Sequence, residues 1–251
     1  TMAPPLLVRV ASSAEQAASK DLQESNEKLC SAAEQGELEE VDRLLKQGAK
    51  PDGFKNERGF TPLIAVCANG NTGTSDCDGV DHFDCLDRLL EAGADVNQTT
   101  KTGFTSLIGN DATPLIYAAD AGNLGCLNSL LKAGAKLDVQ SSSANTALIC
   151  AAARGHSATV TRLIEAKAKV DIKGEGGGTA MMKAAYQGRD DILKALIAAG
   201  ADINMKSLSG DTALVWTRKN GRFSCEEILE SHGAISRASS AGSYGRISRT
   251  Q

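Results

Sequence analysis

Positions 33 residues apart carry matching residues through the second half of this chain, and that spacing constrains the fold more than any other feature. Thr113, Thr146, Thr179 and Thr212 keep it, and so do Gly122, Gly155, Gly188 and Gly221, each nine residues after its threonine. Leu115, Leu148, Met181 and Leu214 share the frame, as do Gly134, Lys167, Gly200 and Gly233. Several residue types held in one register do not arise from composition. A period of this length, marked by Thr-(Pro/Ala)-Leu, Ala-Ala and Gly-Ala-Asp, predicts a helical solenoid.

Each unit reads as helix, turn, helix. Threonine before proline or alanine caps a helix start, and proline at the first helical position gives up no needed donor. The glycine nine residues on (Gly122, Gly155, Gly188) marks the helix end, where the left-handed conformation costs glycine little. Paired alanines let neighbouring units approach closely. Leu130-Leu131, Leu163-Ile164 and Leu196-Ile197 mark the inward face of a second helix. One such unit cannot bury its apolar face alone, so stability has to come from stacking.

The residues that punctuate these units resemble the ankyrin repeat family. Thr61-Pro62-Leu63 and Thr113-Pro114-Leu115 match its helix-opening motif, and Ala118-Ala119, Ala151-Ala152 and Ala184-Ala185 its small-residue pair. Leu89 to Asn97 and Ile197 to Asn204 match the end of its second helix and the following turn. The resemblance implies an all-α solenoid of about six helix-turn-helix repeats with short β-turn fingers, at roughly 26–58, 59–102, 103–144, 145–177, 178–210 and 211–234. An Ala/Ser-rich N-terminal arm (1–25) precedes this ankyrin repeat domain (26–234), and a basic tail with serine and arginine (235–251) follows it. The family's usual histidine after Thr-Pro-Leu is missing, with Ile64, Ile116, Ile149, Met182 and Val215 in its place.

The register lapses at informative places. Glu27-Lys28 replaces Thr-Pro in the first unit, and Thr217-Arg218 and Glu230 bring polar groups into the sixth, as terminal caps require. Gly70 to Gly122 spans 52 residues rather than 33. Two insertions account for it: one near 71–84, between the helices of the second repeat, and one near 105–112, in the turn before the third. Insertions in solenoids map to loops and often to binding surfaces.

Composition narrows the function. A net charge of −4 argues against nonspecific nucleic-acid binding, and no apolar run approaches the roughly 18 residues of a membrane span. Met2-Ala3-Pro4-Pro5 lacks the basic start of a secretory signal. The seven cysteines fit buried, reduced core positions and a cytoplasmic or nuclear protein. Asp76, Cys77, Asp78, Asp81, His82, Asp84 and Cys85 form the one constellation with metal-ligand chemistry. Cys85 falls in the core slot of Cys126, however, and a solvated acidic loop is the better reading. Gly174 to Gly178 is glycine-rich but lacks the Lys-Ser/Thr of a P-loop. We therefore expect no catalytic residue, no metal and no cofactor.

Binding remains. The resemblance implies a concave surface, made of turn tips and first helices, that holds a protein partner. In this sequence those slots carry Arg58, Phe60, Lys101, Phe104, Asp120, Arg154, Tyr186, Gln187 and Asp211, with Lys219 and Asn220 beside them. Interface energy concentrates in aromatic and arginine residues, which singles out Tyr186, Phe104, Arg154 and Arg58. Tyr117 and Trp216 share one slot and are expected to pack against the adjacent helix. Asn97 and Asn204 end motifs that an asparaginyl hydroxylase modifies in many ankyrin proteins, although a structural asparagine is favoured. Ser239, Ser240 and Ser248 follow arginines in a pattern suited to a basophilic kinase. The expected role is a non-enzymatic scaffold or adaptor using the concave face and the enlarged loops of repeats 2 and 3. The alternatives are a fixed subunit of a cytoskeletal or ciliary assembly, or a reversible inhibitor of an enzyme or transcription factor.

Overall fold

A computed structural model describes residues 13–69, 80–101 and 107–235. Among them twelve α-helices form six consecutive pairs. These are α1 (Ser13–Gln35) with α2 (Leu38–Lys46), α3 (Pro62–Asn69) with α4 (Val80–Glu91), and α5 (Pro114–Ala121) with α6 (Leu124–Lys132). Then follow α7 (Ala147–Arg154) with α8 (Ser157–Glu165), α9 (Ala180–Gln187) with α10 (Asp190–Ala198), and α11 (Ala213–Lys219) with α12 (Phe223–Ser231). The last five pairs lie at 62–91, 114–132, 147–165, 180–198 and 213–231, whereas the first begins at Ser13. Helix α1 passes the boundary between residues 25 and 26 without a break, so the described part of the arm is continuous with the first repeat.

The local signals act as their chemistry requires. The hydroxyls of Thr113, Thr146 and Thr179 accept from the backbone N–H three residues on, each at 3.4 Å. Gly122 closes α5 at φ 71°, and the Asn123 N–H then bonds back to the Ala118 carbonyl. A Cβ at Gly122 would lie 2.5 Å from the His156 ring, so conformation and space both demand glycine there.

The odd-numbered helices form one layer and the even-numbered helices the other, each helix packing on the same helix of the next repeat. Ala118, Ala151 and Ala184 are fully buried and bring the inner helices together. Between the layers lie Leu115, Leu148, Met181 and Leu214 from one side and Leu130, Leu163, Leu196 and Leu229 from the other, all buried. Each such side chain contributes on the order of 2 kcal/mol. The inner helices pack closer than the outer ones, which bends the stack toward the inner helices and their fingers. That inner side is the concave face.

The fingers between repeats share one closing bond. Asn56, Ser141, Gly174 and Ser207 each donate their N–H to the carbonyl four residues on. In the enlarged finger the donor is Thr100 and the acceptor is Ala112, at 3.1 Å. The extra residues therefore sit beyond an unchanged base, and Ile108, within them, is buried. The other insertion leads into α4, which begins about a turn earlier than its counterparts. At the C-terminal end Arg218 pairs with Glu226 at 2.6 Å and Glu230 at 2.5 Å, which gives that face its polar cover.

Candidate functional site

Beside the concave face, short polar side chains in the segments leaving the outer helices link one repeat to the next. The side-chain oxygens of Asp52, Asn97, Asp138, Asp171 and Asn204 accept from the backbone N–H of Asp95, Lys136, Lys169, Asp202 and Ile235, at 2.8–3.0 Å. Asn97 and Asn204 are thus rungs of one ladder, in keeping with a structural role. Asn145, fully buried, donates to the Leu107 carbonyl at 2.8 Å and accepts from the Glu175 N–H at 3.2 Å. It joins the enlarged finger to the glycine-rich one. These bonds brace turns that lack the family's histidine.

Along this face the expected site residues differ in what they offer. Arg58 reaches Glu34 at 3.3 Å, and Asn69 donates to the same carboxylate at 3.1 Å. Arg154 grips Asp120 through two bonds, at 2.8 and 3.1 Å, so both charges are already matched. Lys101 and Gln187 are exposed. Phe104, Ser239, Ser240 and Ser248 lie outside the described residues.

Phe60 is a correction. It was expected on the binding surface, but it is only 2% exposed and packs edge-on to Tyr117, with ring centroids 4.9 Å apart. The finger bends its ring under the next inner helix, where water is excluded.

Trp216 reverses in the other direction. It shares Tyr117's slot, yet it is half-buried and opens onto the concave face. The reason is the finger residue opposite. Where Phe60 covers Tyr117, Gly178 stands before Trp216, and a Cβ there would come within 3.3 Å of the indole. Beside this uncovered indole opens a cavity of about 270 Å³ lined by Lys183, Tyr186, Asp211, Trp216, Lys219 and Asn220. Tyr186 is 48% exposed and meets Trp216 edge-on at 6.0 Å. The Lys183 ammonium lies 5.9 Å from the indole centroid. Lys219 pairs with Asp211 at 2.7 Å, and that hydrogen bond holds the Asp211 carboxyl below its ordinary pKa. Sequence reasoning named Tyr186 and Asp211 but missed Trp216 and Lys183. Comparing each finger residue with the inner helix of the following repeat would have found them.

The remaining reactive residues are engaged elsewhere. His82 and His156 point their Nε2 atoms at the carbonyls of Glu34 (3.4 Å) and Asp120 (2.9 Å), bridging successive repeats. Cys85 lies in the core. Asp76, Cys77 and Asp78 are outside the described residues, among which no cluster of His, Cys, Asp or Glu is arranged to hold a metal. The six described cysteines are buried. Burial pushes the Cys30 thiol up to about 11 and those of Cys150 and Cys225 to about 12, well above the range of reactive thiolates. No described helix is long and apolar enough to cross a membrane.

Comparison with known proteins agrees with this geometry. A sequence profile of three ankyrin repeats matches residues 29–141, 77–174 and 115–207. The chain is similar to the crystal structure of the human ASB11 ankyrin repeat domain, with 28% identity over 82% of this chain and 84% of that one, at a TM-score of 0.68. No curated protein matches it. Ankyrin repeats generally mediate protein–protein interactions and are typically non-enzymatic. With the repeat profile spanning most of its length and the helix pairs, fingers and stacked layers all in place, the chain belongs to the ankyrin repeat family.

Proposed function

We propose that this protein is a non-enzymatic scaffold or adaptor that holds a protein partner on its concave face, with the Tyr186–Trp216 pair as the principal contact. The observation that carries this reading is two adjoining aromatic rings left open to solvent on a face where Arg58, Arg154 and Lys219 are each matched by a carboxylate. Aromatic residues at the centre of a partly desolvated pocket are where interface energy concentrates. Lys101 and the enlarged finger at repeats 2 and 3 extend the same surface. The engagement of the histidines in main-chain bonds and the raised cysteine pKa values support the absence of a catalytic role. Cysteines buried as small core side chains suit a cytoplasmic or nuclear protein.

The test is affinity purification with mass spectrometry, comparing the intact chain with the Tyr186→Ala/Trp216→Ala double variant. Circular dichroism would first establish that both are equally helical. Partners recovered by the intact chain should fall by about tenfold or more with the variant. An unchanged set of partners would remove the concave face from the proposal.

A further inference from the structure

The aromatic cavity has a charge as well as a shape. Three cations on the concave face are matched at close range: Arg58 by Glu34, Arg154 by Asp120 and Lys219 by Asp211. Lys183 makes no ion pair among the described residues and sits instead over the indole. The protein carries a net charge of −4, whereas the cavity has two ammonium groups and one carboxylate. Lys183 already occupies the approach to the indole face, so a second cation would meet repulsion where it would otherwise stack. The volume, about 270 Å³, is at or below the bottom of the range for cofactor sites and suits one side chain of a longer chain.

Resting on the protein-binding reading above, we propose that this cavity receives an acidic peptide segment. An apolar side chain of the segment enters between Tyr186 and Trp216, and a neighbouring carboxylate takes the Lys183 ammonium. The occupant combines both features because the cavity does: an aromatic wall that gains from covering, and a half-buried cation that gains from a partner. Asn220 and the Lys219–Asp211 pair form the polar rim.

Trp216 is the only tryptophan in the chain, so fluorescence excited selectively at tryptophan reports on this cavity. A displayed library of random twelve-residue peptides would be selected on the intact protein and counter-selected on Gly178→Leu. Gly178 has φ −74° and ψ 133°, which any residue adopts, and a Cβ there lies 3.3 Å from Trp216 and 3.5 Å from Lys183, so leucine perturbs the cavity by displacing these two of its walls. Enriched peptides should pair Asp or Glu with a nearby Leu, Ile or Phe. A synthetic copy should shift the Trp216 emission saturably and bind more weakly as ionic strength rises. Lys183→Gln should weaken it about three- to tenfold. Enrichment of lysine- or arginine-bearing peptides, no enrichment over Gly178→Leu, or unchanged affinity in Lys183→Gln would each overturn the assignment. If the partners recovered by affinity purification require Tyr186 and Trp216 but not Lys183, the protein-binding reading stands and the acidic occupant falls.

Discussion

Aspartate and asparagine take turns at one structural position, and the difference between them has a sign. Asp171 accepts the Asp202 N–H at 3.0 Å, as Asn204 does for Ile235 and Asn97 for Lys136. Burial, reinforced by the nearby charge of Asp202, lifts the Asp171 carboxyl above its ordinary pKa. A carboxyl raised in this way favours the folded state only while it is protonated. The advantage is lost as pH climbs from the ordinary carboxylate range through the folded-state value, and at neutral pH ionisation works against folding. Asparagine keeps the acceptor and carries no charge. Asp171→Asn should therefore raise the melting temperature near pH 7 and change it little near pH 3. A lower melting temperature at neutral pH would show that the charge itself is needed.

At the scale of elements, the unit that matters is a finger and the inner helix that follows it in the next repeat. Phe60 with Tyr117 and Gly178 with Trp216 are the same pairing filled in opposite ways. Removing the ring in the first pairing, by Phe60→Ala, should cost about 3–5 kcal/mol in chemical denaturation, as expected for an aromatic deletion in a core. A loss under about 1 kcal/mol would return Phe60 to the surface. The helices, their order and their ends were legible in the sequence because Thr113, Gly122 and Leu130 act within one repeat. The openness of the site was not, because it depends on pairs such as Gly178 and Trp216, 38 positions apart. The frame assigned both Tyr117 and Trp216 to one slot and carried no information on what covers each. Arg154 was equally legible as a surface arginine, yet the two hydrogen bonds it donates to Asp120 belong to the contact between repeats.

For the whole molecule, each repeat rests on its neighbours alone, so stability accumulates along the array. Repeats 2 to 5 are each flanked on both sides, but only repeats 3 and 4 have at least two repeats on either side, and Asn145 adds a bond from repeat 4 to the finger on either side of it. The last described repeat packs on one neighbour, and its Phe223 and the following Ile235 are largely exposed. Native-state hydrogen exchange should show the strongest protection in α5 to α8 and a decline toward α12. Uniform protection across all six pairs would indicate that the array unfolds as one cooperative block.

The bond from Thr100 to Ala112 has a consequence for how such a protein can change. It closes the enlarged finger with the same geometry used by the shorter ones, so the helices on either side do not register how many residues lie beyond it. Lengthening a loop costs only about 0.6 kcal/mol per doubling. That finger is a partial cassette: its length can vary, by descent or by design, while Leu107, Ile108 and Asn110 stay tied to the core and the next finger.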